Sequence, residues 1–196
     1  MQHRRLFIAS DLSIAVVERL LLSTQELETS TSETHPDTRI KWVEPQNIHV
    51  TLKFLGDVPS PALDRVMQTI ERIATPLFPF QVELRGVGAF PAPERPRILW
   101  AGIDPKGAEV LSLLHQIIEK EFLELGFEGD HFDYKPHVTL GRVKSRHAPN
   151  FEHTLTPYAS TVFGTSTIRD LVLYESTLGP HGPQYTVLRR FTLGEV

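Results

Sequence analysis

The tetrapeptide His-Val-Thr-Leu occurs twice in this chain, at residues 49–52 within NIHVTLKFLGDV and at residues 137–140 within KPHVTLGRVKSR. Its histidines, His49 and His137, are the residues best suited to chemistry. A free imidazole titrates at about 6.5, so near neutral pH one can stand neutral while the other is charged. That pairing suits cleavage of a phosphodiester without a metal. One imidazole takes a proton from attacking water and the other protonates the departing ribose oxygen, each transfer contributing roughly 100- to 10,000-fold. In-line displacement sets nucleophile and leaving group on opposite sides of phosphorus, which calls for one histidine on each side of a groove. The hydroxyls of Thr51 and Thr139 would donate to the non-bridging oxygens and stabilise the charge there.

Strand alternation positions these groups. Successive residues of a strand point to opposite faces, so His49 and Thr51 share one face, with Ile48, Val50 and Leu52 behind. The same holds for His137 and Thr139 against Val138 and Leu140. Pro136 keeps Lys135 extended and fixes the entry to the second strand. One such strand is what any half-buried sheet presents; two matched copies in like context point to a shared site.

Arg142, five residues after His137, is a candidate phosphate clamp, because guanidinium donors match phosphate oxygens. In an unbroken strand its odd offset puts it on the wrong face, unless Gly141 permits a bulge that re-aims it. Phe54 has the same offset from His49. It could stack on a base, but it continues the apolar face of Ile48, Val50 and Leu52, and core packing is its expected role. Lys135, Arg142, Lys144 and Arg146 make a local basic cluster that Arg4, Arg5 and Lys53 could join; the alternative is a solvated charged face. Asp130, His131, Asp133 and His137 have metal-ligand types, but their spacing fits no zinc signature, and no metal is expected. His115 is placed on a helix, at its surface or satisfied at the core edge. His3, His35, His147, His153 and His181 fall in termini or loops.

The elements that must carry the two motifs are legible in outline. RRLFIAS reads as a first strand, with Leu6 and Ile8 alternating against Phe7 and Ala9. Asp11 or Ser13 would cap a helix through residues 14–22, and the polar stretch 28–38 reads as a frayed helix end and surface loop. Residues 39–43 and 47–55 read as extended, then a helix over 62–74. The segment 80–90 reads as a strand whose glycines suggest a bulge. A strand over 97–103 follows, then a helix over 107–125 with regular apolar spacing, stopped by Gly126. A strand over 137–143, a variable loop, and closing strands over 165–174 and 185–193 complete the chain. The order strand, long helix, HVTL strand occurs twice, which hints at duplication of a lobe.

Composition sets the outer limits. The chain has 196 residues and no cysteine, which excludes disulfides, thiolate zinc sites and cysteine nucleophiles. No apolar run approaches bilayer length, and MQHRRLFIAS is read as a strand rather than a leader because Asp11 interrupts it. A cytoplasmic location is expected. The formal net charge of −4 provides no bulk attraction for nucleic acid, so any RNA contact must come from a local basic patch on a short end.

Over nearly its whole length the chain resembles the two-histidine (2H) phosphoesterase superfamily, specifically the RNA 2′,3′-cyclic phosphodiesterases historically named 2′-5′ RNA ligases. The resemblance rests on the paired HVTL motifs and on RLFIA, IKWVEPQNIHVTLKFLGDV, GVGAFPAPERPRILWAGI, LYES and YTVLRRF. It implies one α+β domain over residues 1–196. Two pseudo-symmetric lobes, each an antiparallel sheet with helices outside, would flank a central groove. It also implies hydrolysis of an RNA-terminal 2′,3′-cyclic phosphate to a 2′-phosphomonoester, with weak reverse 2′-5′ joining in some relatives. No metal, cofactor or membrane would take part, and the protein would act as a monomer. His49 and His137 carry over as catalytic residues, and Thr51, Thr139 and Arg142 as phosphate contacts. A 2′-phosphate product requires the 3′ oxygen to leave. His49 is taken as the acid and His137 as the base, though the reverse fits the sequence equally well. Competing readings are a small cyclic nucleotide or 2′-5′ oligonucleotide as substrate, an RNA-end binder with little turnover, and a metal hydrolase built around His131.

Overall fold

A computed structural model describes residues 3–146, 149–179 and 182–194. The fold is α+β. In chain order the elements are β1 (His3–Ser10), α1 (Ile14–Thr34), β2 (Ile40–Trp42), β3 (Val50–Pro59), α2 (Leu63–Ala74), β4 (Phe80–Phe90), β5 (Ile98–Ile103), α3 (Pro105–Glu124), β6 (Val138–Val143), α4 (Glu152–Leu155), β7 (Val162–Ile168), β8 (Asp170–Gly179) and β9 (Gly182–Thr192). His147 and His181 lie outside the described residues.

The strands do not form two sheets. They form one antiparallel sheet in the order β7-β4-β5-β6-β3-β1-β8-β9, with β2 added to β6. The expected lobes are its two halves, and β3 meets β6 between them through the pair Val50 and Val138. Those valines are equivalent residues of the two motifs, so a local two-fold axis passes between them. Arg169 alone joins β7, at one end of the order, to β8, near the other. A flat sheet of this width would hold those strands far apart, so the sheet is strongly curled. That turn also explains why the single strand expected over 165–174 is two.

Alternation in β1 sends Leu6 and Ile8 into the main core beneath the helices. Phe7 and Ala9 join Val172 and Tyr174 in a separate small cluster on the other face, with Tyr185 packed against it. α1 runs further than expected. Thr24, Thr29, Thr31 and Thr34 each bond the carbonyl four residues earlier at 2.7–3.0 Å, so their hydroxyls are satisfied inside the helix. α3 begins where Asp104 accepts from the amides of Lys106 and Gly107, with Pro105 in its first turn. It ends at Gly126, whose φ of +88° suits glycine. The expected loop after β6 contains the short α4. Among the described residues no helix is long and apolar enough to cross a membrane.

Candidate active site

The two motifs share one backbone irregularity. Along β1, Ala9 pairs with Thr51 and Ile8 with Lys53, leaving Leu52 as an extra residue. Along β5, Trp100 pairs with Thr139 and Leu99 with Gly141, leaving Leu140 extra. The leucine of each tetrapeptide is therefore a β-bulge. One added residue reverses strand parity. Burial runs buried, half-buried, buried, buried, exposed along 50–54 and again along 138–142. Arg142 thus rejoins the face of His137 and Thr139. Phe54 rejoins that of His49 and Thr51, and the core packing expected for it is wrong: it is 62% exposed, its ring 5.9 Å from Phe7.

The imidazoles are held alike. His137 Nδ1–H donates to the Lys135 carbonyl at 2.7 Å, and His49 bonds the backbone of Asn47 at the equivalent position. Nε2 of each ring is the atom left for chemistry. His49 Nε2 lies 3.1 Å from Thr51 Oγ1, within hydrogen-bond reach. With Nδ1 protonated in the neutral ring, the Thr51 hydroxyl is the donor.

The surroundings differ. His49 is packed against Phe7, Tyr174 and Tyr185, with ring centroids 5.1, 5.9 and 5.4 Å away. His137 meets the edge of Phe90 at 5.0 Å, and Phe90 in turn lies against Trp100. A Cβ at Gly88 would come within 2.3 Å of the Trp100 ring, so one of the GVGAF glycines clears space for that indole. Burial is the main reason that His49 is pushed down to about 4, with Arg142 and His137 adding to it and Asp11 opposing. Burial also lowers His137, again with help from Arg142. The Arg142 guanidinium therefore acts on both imidazoles, so the three groups lie within electrostatic reach of one another.

Other expected members are elsewhere. Lys53 is not part of a surface basic patch. Its ammonium is fully buried, ion-paired with Glu119, 3.7 Å from Asp130 and 3.2 Å from the Glu128 carbonyl. Arg4 pairs with Glu175 at 3.6 Å. Lys135, Lys144 and Arg146 are exposed, as is His131, which does not join the metal-type residues. Those residues are instead His115, Glu119 and Asp130, on the far side of β3 from the groove. Lys53 already supplies a cation to both carboxylates, so the donor set does not fit a divalent ion. Sequence reasoning missed the rings around His49. The signal for Phe7 was present in the alternation of β1, but Tyr174 and Tyr185 reach the site from strands more than a hundred residues away.

The profile of a family described as LigT like Phosphoesterase matches residues 23–100 and 102–185. The chain is 37% identical over 187 residues to the RNA 2′,3′-cyclic phosphodiesterase of Archaeoglobus fulgidus, covering 95% of this chain and 99% of that protein. TT0787 of Thermus thermophilus superposes with a TM-score of 0.74 at 29% identity, covering 97% of this chain and 98% of that one. LigT of E. coli, solved in complex with 3′-AMP, superposes with a TM-score of 0.74 at 23% identity over 99% of this chain and 100% of that one, and bears on the fold alone.

Proposed function

The chain belongs to the LigT-like phosphoesterase family, and from that premise we propose that it opens 2′,3′-cyclic phosphates on RNA ends, leaving a 2′-phosphate, with His49 and His137 as base and acid. The observation that carries this reading is the pair of bulged His-Thr strands meeting at Val50 and Val138, with Arg142 acting on both imidazoles.

His49 is the base. Three rings shield it and burial pushes it down to about 4, so it is neutral at pH 7 with Nε2 ready to accept a proton. His137, shielded by one ring, is the acid; the bound phosphodiester anion favours its charged form. This reverses the assignment taken from sequence. Water attacks phosphorus as its proton passes to His49. The bond from phosphorus to O3′ breaks, and His137 protonates that oxygen. Arg142 and Thr139 neutralise charge on the non-bridging oxygens, joined by Thr51 when its hydroxyl turns from His49 Nε2 to the bound phosphate and frees that nitrogen, worth about 100- to 1000-fold for a single well-placed donor. Phe54, exposed on the same face, stacks on a base of the RNA. Replacing water by an RNA 5′-hydroxyl turns the same step into weak 2′-5′ joining.

The test uses a short RNA ending in 2′,3′-cyclic phosphate, with EDTA present and the product end identified. Wild type should release a 2′-phosphate, and His49→Ala and His137→Ala should each lose roughly 100-fold or more. A substrate with sulfur at the 3′ leaving position needs no acid. It should restore His137→Ala and leave His49→Ala impaired; the opposite pattern would exchange the roles.

A further inference from the structure

Behind the first motif lies a polar cluster that the proposed chemistry does not use. The Tyr134 hydroxyl donates to the Thr51 carbonyl at 2.9 Å. His115 Nδ1–H donates to the next carbonyl, Leu52, at 2.8 Å, and the two rings stack at 4.1 Å and 12°. Asp130 approaches His115 Nε2 at 3.8 Å and also faces the buried Lys53, which Glu119 neutralises. Among the described residues, β3 beyond Val50 has no neighbouring strand on its β6 side. Two carbonyls at the bulge are therefore satisfied by side chains. Apolar packing here would leave both carbonyls without a donor, so the hydroxyl and the imidazole close off the backbone at the bulge. Their place between the two motifs gives them a second role.

We propose that Tyr134 is a positioning residue that sets the spacing of His49 and His137, with His115 orienting its ring. This rests on the acid–base reading above. The connection can be followed atom by atom. The His137 ring donates to the Lys135 carbonyl, and Lys135 follows Tyr134 directly. Pro136 stiffens the three-residue segment by fixing its own φ and keeping Lys135 extended. Tyr134 then fastens that segment to the backbone of Thr51, whose side chain bonds His49. Each histidine is thus tied to one end of the same short tether. Among the described residues the main chain joins the motifs otherwise at Val50 and Val138 alone, which leaves the strands free to pivot about that pair. In-line transfer tolerates little pivoting, since a misplacement of about 1 Å can slow a reaction on the order of 100-fold.

Tyr134→Phe removes the hydroxyl and keeps the stack on His115. With cyclic-phosphate RNA its kcat should fall about 10- to 100-fold while KM stays within about twofold, because no substrate contact is touched. His115→Leu should behave likewise, and His115→Phe, which keeps a ring against Tyr134, should recover most of the loss. Activities are compared per folded molecule, using circular dichroism at the assay temperature. If Tyr134→Phe does not fold, the His115 pair decides. NMR titration of the His49 and His137 rings gives a readout without substrate, and both curves should shift in Tyr134→Phe and His115→Leu. Wild-type kcat and unmoved curves in these variants would overturn the tether. Shifted curves in a protein that never turns over cyclic-phosphate RNA would sink the acid–base reading and leave the tether standing.

Discussion

The two HVTL motifs have one sequence, one bulge and one burial pattern, yet they are secured by different means. The carbonyl of the bulged leucine is the clearest case. In the second motif Leu140 accepts from the backbone amide of Val43 at 2.9 Å, as part of the seam with β2. In the first motif Leu52 accepts from His115, a side chain of α3. The next residue follows the same division. Position 141 is glycine because a Cβ there would come 2.8 Å from the Trp42 ring and 3.0 Å from Ile40. Position 53 is a lysine whose ammonium is buried among carboxylates. A strand covers one bulge and a charged cluster covers the other. The local geometry is set by the tetrapeptide and its bulge; the packing behind it need only close off the backbone groups.

The difference should be largest in stability. Lys53→Met leaves Glu119 and Asp130 near the core without their cation. Removing one partner of a buried pair costs about 3–5 kcal/mol, so unfolding by urea should show a loss of that size. Glu119→Leu added to Lys53→Met should return part of it. At the equivalent place in the second motif, Gly141→Ala meets only side-chain atoms that can give, and overpacking of that kind costs about 1–3 kcal/mol. Equal losses at both positions would mean that the charged cluster is no more demanding than the strand seam. The residues after the bulges differ next. Arg142→Ala should lower kcat by about 100-fold or more, as loss of a charge-stabilising donor does. Phe54→Ala should act mainly on KM. Base stacking is worth about 1–3 kcal/mol, so the loss should be about 5- to 150-fold and should depend on the base near the cyclic end.

Much of this arrangement could be read before the fold was known. Alternation alone placed His49 with Thr51 and His137 with Thr139, and Gly141 made a bulge conceivable beside Arg142. The bulged residue is in fact the leucine, whose identity marks nothing, so the same shift at Phe54 was invisible. Lys53 looked like surface charge because its partners Glu119 and Asp130 come from α3 and the loop after it. The joined sheet and the single-residue passage from β7 to β8 rest on pairings across the whole chain. The threonine-rich end of α1 looked polar enough for a loop, yet the hydroxyls of Thr29, Thr31 and Thr34 each find a carbonyl one turn back. Local patterns carried the polar faces of the motifs; parity, burial and partners needed the tertiary structure.

The smallest effect, and the one that most sharpens the comparison, is in the pH dependence. The profile of kcat/KM reports the groups of the free enzyme. The base must be neutral, so activity rises as pH climbs through the value of His49, about 4. The acid must be charged, so activity falls again as pH passes the value of His137, which burial and Arg142 hold below the usual imidazole range. The optimum should therefore lie on the acid side of about 6.5, the ordinary histidine value. The limbs describe the interacting pair rather than either ring alone. Arg142 lowers both imidazoles by repelling the second positive charge. Arg142→Gln removes that charge, so both limbs should move to higher pH. Phe54→Leu, at the equivalent position of the other motif, carries no charge and should move neither limb while still weakening RNA binding. If both variants shift the profile alike, Arg142 is acting through packing rather than charge, and the division of labour between the two post-bulge residues is wrong.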